Sequence, residues 1–141
     1  MDGLFARRAI ESGELCSWYN GLRCSHEEVD GRECGLNDAT ITLDEEAVLD
    51  VPAEFVHVQA FTACLGHKAN HSKPNNAKYD VFDHPRFGLI KAIRALRNIV
   101  AGEEICCDYA YEGAPEDLPL WHTKAEGMAA ASEDRPAGKK R

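Results

Sequence analysis

Apolar and polar residues alternate in several short stretches of this chain, a pattern typical of strands that bury one face of a sheet. β-Branched residues are frequent in these stretches, and turn residues such as Asn20-Gly21 and Pro52 bound them. The pattern predicts strands at residues 14–20, 40–43, 47–51, 79–82 and 105–111. It therefore favours a mainly β protein built from short strands.

Other stretches predict loops and helices. Residues 25–38 and 66–76 are polar and rich in turn formers, so both are predicted loops. Residues 54–65 place Phe55, Val58 and Phe61 on one face, which predicts a helix of about three turns that Gly66 closes. A second short helix is predicted at 120–128, and the composition beyond 131 is typical of a disordered tail.

Residues 89–100 fit two structures. Leu89, Ile93, Leu96 and Val100 recur at helical spacing, which predicts an amphipathic helix. Ile90 and Ile93, with the later turn at Ala101-Gly102, equally permit a strand in a long hairpin. Periodicity alone leaves both open.

Composition limits the class of protein. The chain has 141 residues, enough for one domain with a real core, and we expect it to be intracellular because no leader or apolar span stands out. The formal charge is −8, and since residues 132–141 carry +2, the rest carries −10. Such a body repels nucleic acid and attracts basic peptides, although a solvated acidic face is the simpler explanation.

The chain has six cysteines, none in a Cys-x-x-Cys pair. Adjacent Cys106 and Cys107 would point to opposite faces of a strand, which disfavours a shared metal. We expect buried, reduced, apolar cysteines and no metal site.

Three clusters carry candidate chemistry: Asp2-Gly3-Leu4-Phe5-Ala6, Asn70-His71-Ser72, and Asp108-Tyr109-Ala110-Tyr111 after Gly102-Glu103-Glu104. Singly, each has an ordinary explanation in turn formation or packing. Together, in this order and spacing, they are specific. The chain resembles the SET-domain family of protein lysine methyltransferases over residues 2–126, and especially its branch with MORN repeats, through 18–21, 43–46, 65–72 and 84–88.

The resemblance implies a β-clip type SET fold, mainly β, with several small sheets, a C-terminal pseudoknot and one or two short helices. It makes 88–96 a strand, so we reject the helix there. It implies a domain at 1–128 that lacks its first strands, followed by a disordered basic tail at 129–141.

The implied activity is transfer of a methyl group from S-adenosyl-L-methionine to a lysine ε-amine, with monomethyl-lysine as the product. Tyr109 would be the main catalytic residue. The other implied catalytic residues are Tyr19, Tyr79 and His71. The implied cofactor residues are Asp2, Gly3, Asn70, His71, Trp121 and Glu126. The implied substrate residues are Tyr19, Asp30, Thr40, Lys91, Tyr109 and Tyr111.

Tyrosines suit this chemistry because a free lysine has a pKa of about 10.4, and an apolar aromatic channel favours its neutral form. The resemblance also implies a histone tail or another basic peptide as partner, a monomer in the nucleus, and no contact with nucleic acid or membrane.

This chain departs from the family in three places. Met1 stands where the Gly-x-Gly cofactor turn begins, Ala39 replaces an asparagine near the channel, and Glu126 is displaced by one position. The alternative hypothesis is therefore an inactive SET-like module that binds a basic peptide.

Overall fold

The computed structural model describes residues 2–31, 39–57, 59 and 64–110. Its two small sheets confirm the mainly β prediction. The strands in chain order are β1 Leu15–Tyr19, β2 Leu22–Ser25, β3 Thr40–Thr42, β4 Ala47–Asp50, β5 Asn70–His71, β6 Ala77–His84, β7 Gly88–Ala95 and β8 Cys106–Cys107. Within the described residues, no helix is long and apolar enough to cross a bilayer.

The larger sheet has the order β1-β7-β6-β8-β5. Strands β6 and β7 form an antiparallel hairpin in register from Ala77↔Ala95 to His84↔Gly88. The short strand β8 lies between β6 and β5 and runs parallel to both. The smaller sheet has the order β2-β4-β3, so among the described residues β3 is one of its edges.

The strand prediction for 88–96 is confirmed, and the helical spacing in that segment is misleading. Strand β7 buries Ile90, Ala92 and Ile93 between its two neighbours. Leu96 and Val100, which the helical pattern placed on the buried face, are 46% and 65% exposed. Of the four residues of the helical stripe, the sheet therefore buries only Ile93.

The predicted loop at 25–38 is wrong at its start. Residues His26–Asp30 form a short helix, α1, because Ser25 and Glu28 make a reciprocal capping box. The Ser25 side chain accepts from the Glu28 amide, and the Glu28 carboxylate accepts from the Ser25 amide. Residues 32–38 lie outside the described residues.

The predicted helix at 54–65 is also wrong where the structure describes it. Only Ala53–Phe55 is helical, as one 3-10 turn, and Gly66 opens a second such turn, Gly66–Lys68, instead of closing a helix. Phe55 is 45% exposed, so the first apolar residue of the predicted helical face is not buried. A helix in a protein is stabilised mainly by a buried apolar face. Residues 58 and 60–63 lie outside the described residues.

Three further predictions need adjustment. The strand at 79–82 extends over β6, whereas the strand at 105–111 shortens to β8 because an Asp108 turn follows it. The loop at 66–76 contains β5, which pairs with β8. The helix at 120–128 and the tail lie outside the described residues, and the domain bounds stay predictions.

The cysteines differ in burial. Cys107 is fully buried, whereas Cys16, Cys24, Cys64 and Cys106 are partly exposed, so the prediction of burial is wrong for these four. In β8 the alternation of a strand turns Cys106 outward as Cys107 faces the core. Cys34 lies outside the described residues.

The core of the larger sheet holds β8 in place. It contains aliphatic and small side chains from the N-terminal segment and from β6, β7 and β8, namely Leu4, Ala6, Ile10, Ala69, Ala77, Ile93, Ala95, Ile99, Ile105 and Cys107. Asn76, only 5% exposed, forms side-chain hydrogen bonds to the backbone at the start of β8. Its amide nitrogen donates to the Glu104 carbonyl at 2.7 Å and its oxygen accepts from the Cys106 amide at 2.9 Å.

We expect Asn76→Ala to lower the free energy of unfolding by about 2–4 kcal/mol, since it leaves backbone groups around β8 without their partner. Urea unfolding measures this. The control is Asn75→Ala, which removes one bond to the Ala77 carbonyl and costs about 1 kcal/mol. Equal losses in the two variants would show that Asn76 does not secure β8.

Candidate functional site

A pocket of about 490 Å³ lies where the two sheets meet. Its walls come from the ends of β1 and β3, from the β6–β7 hairpin and from the segment after β8. The lining residues are Tyr19, Thr40, Ile41, Thr42, His67, Lys78, Tyr79, Lys91, Asp108, Tyr109 and Ala110.

Three tyrosine rings stand side by side in this pocket. The ring centroids of Tyr19 and Tyr79 are 6.1 Å apart, and those of Tyr79 and Tyr109 are 6.2 Å apart. Tyr79 is therefore the middle ring, and it packs on the cores of both sheets. Aromatic rings at this spacing form a wall that excludes water and carries a polar hydroxyl at its tip.

Tyr19 is 4% exposed, and its hydroxyl donates to the Ala39 carbonyl at 2.6 Å. Burial raises the pKa of Tyr19, and the nearby Tyr109 and Asp50 raise it further, so its hydroxyl is neutral at physiological pH. Gly66 packs behind it: a Cβ on Gly66 would lie 2.5 Å from the Trp18 carbonyl oxygen.

Tyr109 is fixed from two sides. Its hydroxyl donates to the carbonyl of buried Ala69 at 2.5 Å, and its amide donates to Nδ1 of His71 at 3.1 Å. The turn after it is held by Asp108, whose carboxylate accepts from the Ala110 amide at 2.9 Å. Ala110 has a φ of 49°, a left-handed conformation that costs free energy for a residue other than glycine.

Burial affects two basic side chains that line the pocket, Lys91 and His67. Burial lowers the pKa of the Lys91 amine, although Asp80 and Asp44 act in the opposite direction. Burial likewise lowers the pKa of His67, whose Nε2 lies 3.2 Å from the Val56 carbonyl oxygen. An amine that enters this pocket therefore loses solvation that its charged form needs.

A second polar cluster lies where the N-terminal segment meets β5. Asn70 donates to the Glu104 carboxylate at 2.7 Å, and the Lys68 amine lies 3.7 Å from the Asp2 carboxylate. A Cβ on Gly3 would lie 2.5 Å from Oε1 of Glu104, so only glycine fits there without displacing that side chain. Backbone pairing between Leu4 and Ile105, at 2.7 Å, brings these segments together.

The structure thus brings two groups of predicted residues together. Tyr19, Tyr79, Tyr109, Thr40 and Lys91 line the pocket, and Asp2, Gly3 and Asn70 form the polar cluster beside buried His71. Asp30 lies on the exposed end of α1 and is not among the residues that line the pocket. The resemblance alone assigned Asp30 to the substrate residues. Tyr111, Trp121 and Glu126 lie outside the described residues.

Sequence reasoning missed several residues: His67, Lys78 and Asp108 in the pocket, and Lys68 and Glu104 in the polar cluster. His67 and Lys68 lie within the predicted loop at 66–76, and Glu104 directly precedes the strand predicted at 105–111. The pairing of β8 with β5, which brings Glu104 to Asn70, leaves no local signal in the sequence.

A mainly β fold with an inserted strand, a tyrosine-lined pocket and an adjoining polar cluster agrees with one family. Residues 2–110 match the family profile described as SET domain, which is more than half of the chain. The chain belongs to the SET-domain family.

The proteins to which this chain is similar include three histone-lysine N-methyltransferases. It is 40% identical to SETD7 of Halocynthia roretzi over 96% of this chain and 36% of that protein. It is 31% identical to CLF of Oryza sativa subsp. japonica and 30% identical to EZ1 of Zea mays, over 96% and 95% of this chain. The chain spans about a third of the first relative and 14% of each plant protein.

We expect Gly66→Ala to lower the free energy of unfolding by about 1–3 kcal/mol, because the added methyl meets the backbone of Trp18 and Tyr19. The control is Gly31→Ala, whose Cβ would meet only the Glu27 carbonyl, at 3.2 Å. Urea unfolding of both variants tests this. If Gly66→Ala is as stable as Gly31→Ala, then the packing of Gly66 does not fix Tyr19.

Proposed function

We propose that this chain is the catalytic domain of a protein lysine methyltransferase that transfers one methyl group from S-adenosyl-L-methionine to a lysine ε-amine. The observation that carries the proposal is the tyrosine pocket, in which burial already lowers the pKa of a resident lysine amine. The relatives, each named a histone-lysine N-methyltransferase, support the same reaction.

The pocket addresses the main energetic obstacle. An amine attacks only as a neutral nucleophile, and at pH 7 deprotonating a free lysine costs about 4–5 kcal/mol. Lys91 supports the idea that this pocket reduces that cost, since burial is the largest influence on its pKa. The bound cofactor supplies an electrophilic methyl on a sulfonium: a nitrogen–carbon bond forms as the carbon–sulfur bond breaks.

Two backbone carbonyls set the direction of the tyrosine hydroxyls. The Tyr19 hydroxyl donates its hydrogen bond to the Ala39 carbonyl, and the Tyr109 hydroxyl donates to the Ala69 carbonyl. Each hydroxyl oxygen is then left to accept a hydrogen bond from the amine of the substrate. Acceptors on two sides would orient the amine for in-line attack, and such orientation contributes several kcal/mol.

The polar cluster fits the cofactor chemically. The methionine end of S-adenosyl-L-methionine carries one ammonium and one carboxylate, and Asp2 and Lys68 offer one opposite charge for each. Gly3 keeps the backbone close to Glu104, and Asn70 and buried His71 complete that wall. Trp121 and Glu126 remain proposed cofactor residues from the resemblance.

The proposed substrate is an extended peptide with a lysine, such as a histone tail. Strand β3 is an edge of its sheet within the described residues, and it lines the pocket with Thr40, Ile41 and Thr42. Edge strands pair readily with extended peptides. Thr40 and Lys91 are proposed contacts on the two walls, with Asp30 and Tyr111 carried from the resemblance. We also propose a nuclear monomer that does not bind nucleic acid directly.

We expect Tyr109→Phe to lower kcat by about 100-fold, because the amine loses an oriented acceptor. Transfer of labelled methyl from S-adenosyl-L-methionine to histone peptides measures this. Peptide affinity, read by titration calorimetry, serves as the control and should change less than threefold. A variant with wild-type turnover would refute the role of Tyr109, and a wild-type chain that binds peptide without transferring methyl would favour the inactive module.

We expect the wild-type chain to produce monomethyl-lysine, since three tyrosines leave little room for an amine that already carries a methyl. Tyr79→Phe removes the hydroxyl of the middle ring and should add a dimethyl product. Mass spectrometry of peptide products over time distinguishes the two. Trimethyl-lysine from the unmutated chain would contradict this view of the pocket.

A further inference from the structure

An acidic side chain is buried directly behind the pocket wall. Asp50, the last residue of β4, is only 2% exposed. Burial of a carboxylate is unfavourable unless it is bonded or paired, and strands disfavour aspartate. The backbone of Asp50 is confined as well, since a Cβ on Gly21 would lie 2.5 Å from its carbonyl oxygen.

The Asp50 carboxylate accepts a hydrogen bond from a residue that lines the pocket. Thr40 lies opposite Asp50 in the β3–β4 register, and its hydroxyl donates to Oδ1 of Asp50 at 2.8 Å. Thr40 is half-buried and lines the pocket. A hydrogen bond to a charged acceptor is stronger than one to a neutral group. The hydrogen bond to Asp50 therefore fixes the rotamer of Thr40, and with it one face of β3.

The same region joins the tyrosine wall. The Ala39 carbonyl accepts from the Tyr19 hydroxyl at 2.6 Å and from the Val51 amide at 3.3 Å. Asp50 also contributes to the raised pKa of Tyr19, which places its charge close to that ring. The end of β4 therefore supports both Thr40 and Tyr19 from behind.

We infer that Asp50 is a positioning residue for the substrate peptide, which it controls through the hydroxyl of Thr40. The inference rests on the proposed function, because it assumes that β3 forms the peptide wall of the pocket. Asp50 does not face the reacting atoms in this scheme. It holds the β3 edge in the conformation that accepts an extended peptide.

The test compares Thr40→Val, Thr40→Ser, Asp50→Asn and the double variant Asp50→Asn/Thr40→Val, with Asp83→Asn on the exposed hairpin as a charge-removal control. Peptide KM and kcat come from methyl transfer, and peptide Kd comes from calorimetry. Thr40→Val should raise KM and Kd about five- to tenfold with kcat within about twofold, since one hydrogen bond is lost. Thr40→Ser retains the hydroxyl, so its peptide KM and Kd should be close to those of the wild-type chain.

If Asp50 acts through Thr40, then the double variant should be no worse than Thr40→Val alone, because Asp50→Asn weakens the same hydrogen bond that Thr40→Val removes. The inference is overturned if the losses of peptide affinity in the two single variants add up in the double variant, or if Thr40→Val keeps the wild-type KM. A lower stability of either variant would not change that conclusion. A wild-type chain that neither binds nor methylates a lysine peptide would overturn the proposed function, and the inference with it. Wild-type values in every variant would leave the proposed function intact and reject the inference alone.

Discussion

The insertion of β8 between β5 and β6 positions both the polar cluster and Tyr109 in the candidate site. The backbone there pairs on both sides, with Cys106 opposite Asn70 and Cys107 opposite both His71 and Ala77. Cys107 and Ala77 have no exposed surface, so the position accepts only small side chains. Because β8 is fixed, Glu104 meets Asn70 before it, and Tyr109 meets Ala69 and His71 after it.

A second constraint, loss of solvation, links this geometry to chemistry. Polar groups in the pocket wall are bonded to backbone carbonyls: Tyr19 to Ala39, Tyr109 to Ala69, and His67 to Val56. Water is thus replaced by fixed dipoles, which are already oriented when an amine enters. The lowered pKa values of Lys91 and His67 have the same cause, since burial is the first influence on each.

The sequence predicted strands better than it predicted contacts. Alternation located β1, β3, β4 and β6 to within a few residues, because each buries one face. Helical spacing was misleading at 54–65, where the described part is helical only as the turn Ala53–Phe55. The predicted loop at 25–38 missed α1, although Ser25 and Glu28 form a capping box. The pocket residues followed from the resemblance. His67, Lys78 and Asp108 did not, since strand pairing between distant segments puts them there.

The pKa of the substrate lysine, measured in the bound state, tests the desolvating pocket most directly. A histone peptide with its lysine labelled at Cε is titrated by NMR twice. In one titration the peptide is fully bound to the full chain, and in the other it is free in solution. We expect the pKa of the bound lysine to lie clearly below the free value of about 10.4, as burial lowers the pKa of Lys91 in the same pocket. A bound midpoint at or above the free value would contradict it, because the tyrosine wall would then stabilise the ammonium and not the nucleophile.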